Sequence, residues 1–270
     1  MKKIILLAGI LVVAIATLFT VSCSKPTLDT NTQTAVDNNL CENEFMRILP
    51  AVNVLMVSHY GKGIHKVETV KYPTVTLMTD TTKTAWPRVI EINYGPLPGI
   101  ADSSDGKTRS GIIYASFNNW WNIIGTTCTI TFNTYLVNGV SYNATITALE
   151  TKPTEFKVDV VNGVCTSSSW KIAFAATRTF EWVGGYNDSV PSHSQYTITG
   201  MANGTDRNTT NYTLTITSAL TKRLNCPSVC GGSEQIIPAG LANRTVNFGN
   251  GTCTGSASVT INGQSFTVSE

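Results

Sequence analysis

Charge is scarce in this chain: Asp, Glu, Lys and Arg make up 13% of its 270 residues, and Lys and Arg nowhere form a run. Binding to nucleic acid or to an anionic membrane surface rests on clustered basic side chains, so neither class of partner is expected. Histidine is scarcer still, with 3 in all (His59, His65 and His193). GxSxG, HExxH and Walker-type phosphate loops are all missing. The pair in "CPSVC" (226 to 230) is spaced one residue too widely for a CxxC redox motif. Without a second close Cys or His pair it does not make a zinc site. No metal, no cofactor and no catalytic residue is expected from these patterns.

Hydrophobic length, by contrast, is concentrated at the start. Lys2 and Lys3 precede a stretch, Ile4 to Thr20, with no charged residue, and then come Val21, Ser22, Cys23 and polar "SKPTLDTNTQT". This is the layout of a bacterial lipoprotein signal peptide, residues 1–22, ending at a lipobox in which small residues precede the thiol. Thr20 stands where Leu is more common. Cys23 is therefore the expected lipidation site, carrying diacylglycerol and a further acyl chain such as palmitate. Two or three such chains make a stable anchor, so membrane lipid is the first expected partner. Cleavage removes two lysines and no acid, which turns 19 basic against 17 acidic residues into 17 against 17. Residues 23–34 then form a polar tether with Pro26 in it.

Export implies an oxidising compartment in which Cys41, Cys128, Cys165, Cys226, Cys230 and Cys253 can pair. Cys226 with Cys253 is the first expected disulfide, because both end successive short apolar runs. The connectivity of the other four stays open.

Segment 35–72 reads as an N-terminal helical segment. Val36, Leu40, Ile48, Val52 and Leu55 recur at helical spacing, Thr34 with Asp37 resembles a capping box, and Pro50 can kink the helix. One amphipathic helix, from Ala35 to about Met56, follows. Residues 73–270 read as an all-β body. Apolar and polar residues alternate in "PTVTLMT", "RVIEINY", "SYNATITAL", "TEFKVDVV", "QYTITGMA", "NYTLTITS" and "SASVTINGQSFTVS", with turn clusters between them. The expected class is mainly β: an antiparallel β-sandwich or stacked antiparallel sheets, with one helix. Internal echoes suggest two similar halves. "YNATIT" (142 to 147) matches "YTLTIT" (212 to 217), "ATRTFEW" (176 to 182) matches "ANRTVNF" (242 to 248), and "EINYG" (91 to 95) matches "TVNFG" (245 to 249).

The ordered set "VDNNLCENEF", "PTVTL", "IEINYG", "DGKTRSG", "FNTYLVNG", "ATRTFEWVGGY", "YTITGMANGTDRN", "YTLTITSAL" and "VNFGNGTCTGSASVTING" resembles the uncharacterised lipoproteins widespread in Bacteroidetes-type bacteria. The resemblance implies export, lipidation and an all-β body, and no reaction. In such lipoproteins acidic residues after the lipidated cysteine accompany transport to the cell surface. "CSKPT" has none, which points to the periplasmic face of the outer membrane. The same bacteria O-glycosylate exported proteins at Asp-Ser/Thr motifs, which "DTT" and "DSV" match, with Thr81 and Ser189 as the acceptors.

Three places are candidates for function. "SFNNWWNIIG" sets Trp120 and Trp121 among asparagines. Neighbours on a strand face opposite ways, so one ring would lie outside, able to stack on a sugar. "ADSSDGKTRSG" puts Asp102 and Asp105 beside a glycine, as a calcium loop would, although an Asx-type turn accounts for it more simply. Glu91 and Asp105 could be brought together as a carboxylate pair. The reading that follows is an outer-membrane-associated lipoprotein acting as a binding or structural module, its partner a glycan or another envelope protein. The alternative is a carbohydrate-active or other envelope hydrolase.

Overall fold

The computed structural model describes residues 28–60, 73–78, 86–101, 105–120, 123–185 and 193–269, with the side chains of 54–60 left aside. Cys23, His59, His65, Thr81, Asp102, Trp121 and Ser189 lie outside the described residues or side chains.

The helix, α1, spans Gln33–Tyr60 and includes Pro50. Its first turn is capped by Asn31, whose Oδ1 accepts the Gln33 N–H at 2.8 Å. The Thr34–Asp37 pair does not act as the capping box its spacing suggests, because both side chains are engaged elsewhere. Thr34 donates to Asp206 at 2.9 Å and Asp37 accepts from Arg207.

Fourteen strands follow: β1 (Thr74–Leu77), β2 (Arg88–Asn93), β3 (Ile100–Ala101), β4 (Thr108–Phe117), β5 (Thr127–Val137), β6 (Val140–Lys152), β7 (Glu155–Thr166), β8 (Lys171–Gly184), β9 (Gln195–Thr205), β10 (Asn211–Arg223), β11 (Val229–Pro238), β12 (Arg244–Asn250), β13 (Ser256–Ile261) and β14 (Gln264–Ser269). The mainly-β class, with one helix among the described residues, is as expected. The strands form one antiparallel sheet in chain order, with the short β3 paired to β4 beside the main path, rather than two stacked layers. A meander of this length cannot stay flat. Its inward side chains on β4, β5, β6, β7, β8, β10 and β11 all reach the same helix, and Arg244 on β12 reaches Asn31 just before it, so the sheet is curled around α1.

Alternation sets the two faces. On β8, Ile172, Phe174, Ala176, Arg178, Phe180 and Trp182 point inward, while Thr177 and Glu181 point out. The outer face carries mainly Thr, Ser, Asn and Lys, and Phe45 of α1 anchors the core, stacked on Phe174 at 5.7 Å and edge-on to Phe132 and Tyr142. Tight curvature needs local breaks in the ladder. At Gly111 the β4–β5 register shifts, φ is +87°, and a Cβ would run into the Thr134 carbonyl.

Two of the echoed pairs occupy strands four apart, β6 with β10 and β8 with β12, whereas "EINYG" lies on β2 and "TVNFG" on β12. Tyr142 on β6 and Tyr212 on β10 both aim hydroxyls at α1. Arg178 on β8 and Arg244 on β12 are both buried. In "EINYG" and "TVNFG" the asparagines Asn93 and Asn247 accept from the N–H of Gly95 and Gly249, each at 2.8 Å.

Candidate functional site

The expected amphipathic helix is in fact enclosed on every side: from Thr34 to Asn53 no residue is exposed. A buried charge must be paired and hydrogen-bonded to be tolerated, and the strands supply the partners. Arg109 on β4, 0% exposed, grips Glu44 at 2.8 Å and Asp105 at 2.6 Å. Tyr135 donates to the same Glu44 carboxylate at 2.5 Å. Arg178 on β8 is bidentate to Glu42 at 2.6 and 3.0 Å. Asp37 takes both the backbone N–H and the guanidinium of Arg207. Arg207 in turn lies 4.4 Å from the Trp170 ring. Asn38 bridges Glu234 and Tyr212. Arg244 reaches Asp29 at 3.0 Å. Burial works against ionisation of Glu44, yet Arg109 and Arg47 outweigh it and hold this carboxyl below its ordinary range. Asp105 is held low in the same way, by Arg109 against its burial. Burial, then Glu44, drives the Tyr135 hydroxyl well above its usual pKa.

These contacts orient the helix. Its N-terminal end meets the turn after β9 through Arg207, and Asp29, just before it, meets the turns after β11 and β13 through Ala242 and Asn262. Its other end approaches Tyr196 at the start of β9 through Asn53. Asp29 and the start of the helix therefore lie at one rim of the curled sheet, and Asn53 lies toward the opposite rim.

The opposite rim holds the aromatic candidate. Trp120 lies in the β4–β5 connection, edge-on to Trp86 at 5.4 Å. The Arg88 guanidinium sits 4.5 Å from the Trp120 ring and 4.7 Å from Trp86. Both rings are half-buried. The connection is fixed to β6: Thr126 Oγ1 donates to the Trp120 carbonyl at 2.7 Å, and Gly125 and Thr126 exchange backbone bonds with Glu150. Glu150 points inward at 1% exposure with neither carboxylate oxygen hydrogen-bonded. Burial alone pushes its carboxyl up to about 7. Ile123 and Ile124, in the same connection, are exposed. Trp86 and Arg88 carry no motif that would have joined them to Trp120 in the sequence; only the β2–β4 pairing, Arg88 opposite Phe117, does so.

Other candidates fare differently. Cys226 and Cys253 are bonded across a Cα separation of 5.3 Å, as expected. Asp105 is not open to a cation, since Arg109 and Arg47 occupy it. It accepts the Lys107 N–H in an Asx-type turn, the simpler of the two readings. Glu91 does not meet it: Glu91 takes Asn93 on the far side of β2 from the inward Ile90 and Ile92. Among the described residues, no group of three or more His, Cys, Asp or Glu is placed to hold a metal, and no helix is long and apolar enough to cross a membrane. No family model, curated protein or solved structure matches the chain.

Proposed function

We propose that the protein is an envelope lipoprotein, tethered through acylated Cys23 to the periplasmic face of the outer membrane, that binds a glycan at the rim farthest from the tether. The observation that carries this reading is the Trp86–Arg88–Trp120 cluster, a half-buried aromatic surface with a guanidinium at its centre. It stands on the rim opposite the one where α1 begins. Aromatic faces suit the apolar faces of sugar rings, and a guanidinium suits their hydroxyls or an attached carboxylate. The anchor and the rim then divide the work, one fixing the protein to lipid and the other leaving a contact surface clear of it.

Titration of neutral and acidic oligosaccharides, followed by tryptophan fluorescence, tests the rim. Trp120→Ala should weaken binding at least tenfold, about 1.4 kcal/mol, with far-ultraviolet dichroism unchanged. A wild-type protein whose fluorescence answers to none of these sugars removes the glycan reading. Labelled palmitate entering the wild type but not Cys23→Ser tests the anchor separately.

A further inference from the structure

Among the described residues four cysteines lie outside the Cys226–Cys253 bridge, and two of them are not placed as isolated thiols. Cys41 on α1 and Cys165 on β7 point at one another with Sγ atoms 3.0 Å apart, both 0% exposed. That is about 1 Å beyond the roughly 2.05 Å of a disulfide bond, and closer than unbonded sulfurs ordinarily pack. The remaining two are arranged otherwise. Cys230 donates to the Thr221 carbonyl at 3.4 Å, and Cys128 sits in the apolar core among strands at the far rim.

We infer that Cys41 and Cys165 close into a second disulfide, which stitches the enclosed helix to the wall of the sheet. The oxidant is a small-molecule or protein disulfide. One cysteine, as thiolate, attacks it to form a mixed disulfide and release one thiol. The second thiolate displaces the other half, so that two protein thiols are oxidised and one external disulfide is reduced to two thiols. Burial and the neighbouring Cys165 push the Cys41 thiol well up, and no reagent reaches either sulfur once the sheet has closed. The bond must therefore form while α1 is still being enclosed, and afterwards it resists reductants that reach the bridge at exposed Cys253. Its occurrence in the cell rests on the export reading above. Its formation in vitro does not.

The test is peptide mapping of the full chain, refolded from the reduced state in oxidised and reduced glutathione, then alkylated in denaturant without reductant. A peptide containing Cys41 should emerge joined to one containing Cys165, with Cys128 and Cys230 alkylated. On the folded protein, mild reductant should open Cys226–Cys253 first and leave Cys41–Cys165 closed until denaturant is added. Alkylation of both Cys41 and Cys165 after refolding, or either one joined to Cys128 or Cys230, overturns the assignment. A second preparation, the full chain expressed in a bacterium with an oxidising periplasm and left to its own residues 1–22 for export, separates the two readings. The bridge formed in vitro but absent there would count against export and leave the geometry standing.

Discussion

Arg109→Met should lower the stability of the protein by about 3–5 kcal/mol, the cost of leaving buried charge without its partner. Glu44 and Asp105 share this one guanidinium, and their side chains are almost wholly inaccessible. Without it, Arg47, 3.6 Å from Asp105, is the one cationic side chain left beside them among the described residues, with the Tyr135 hydroxyl still on Glu44. The pH dependence carries the sharper signature. In the native chain both carboxyls are held below their ordinary values. The stability they contribute is therefore present above the unfolded values near 4.5 and 3.8 and is lost as pH falls through the folded ones. In Arg109→Met burial prevails, the folded values rise, and the sign inverts, so acidification from pH 7 to pH 5 should stabilise the variant. Urea unfolding at the two pH values decides it. The triple variant Glu44→Gln, Asp105→Asn, Arg109→Met should recover much of the loss, since neutral amides can be buried at lower cost. If Arg109→Met unfolds at the wild-type urea midpoint at both pH values, the buried network is not what holds the helix.

Periodicity made the strands, the helix and most turn positions legible, because alternation with a period of two reports which face is buried whatever the sheet then does. It could not say that the strands make one curled sheet, since a sandwich and a wrapped meander ask for the same alternation. The helix was the harder case. Val36, Leu40, Ile48 and Val52 mark an apolar face, but Asp37, Glu42 and Glu44 look solvated until their partners are known, and those stand 65 to 170 residues away along the chain. One signal was present. In "FAATRTFEW", Arg178 occupies the same parity as Phe174, Ala176 and Phe180, and an arginine at an inward position of a strand requires an acid inside. The same parity argument places Arg244 on β12, beside Val246 and Phe248. Trp120 could be nominated from its neighbours, whereas Trp86 and Arg88 join it only through strand pairing.

Glu150 breaks the pattern set by the other interior acids, and that makes its titration the second large effect. Arg109, Arg178 and Arg244 each answer an acid on the helix or just before it, yet Glu150, facing inward at the end of β6, has no hydrogen-bond partner for either oxygen. Burial raises its carboxyl from 4.5 to about 7, so between those values the folded protein holds a proton that the unfolded chain has released. The slope of stability against pH is then negative: the contribution is intact below 4.5, declines through the window, and is gone above 7. At full value the shift corresponds to about 3 kcal/mol, and screening by water at the rim reduces this to about 2 kcal/mol. Glu150→Gln, which keeps the shape and drops the charge, should therefore be more stable than the wild type by about 2 kcal/mol at pH 8 and indistinguishable from it at pH 4.5. Because Glu150 is tied through its backbone to the Trp120 connection, a proton uptake that settles this carboxyl also steadies the proposed binding rim. Sugar binding by the wild type should accordingly be tighter at pH 6 than at pH 8, and Glu150→Gln should erase that difference. A variant whose unfolding free energy tracks the wild type across the whole range would mean that the native carboxyl ionises freely, with water standing where the interior was taken to be dry.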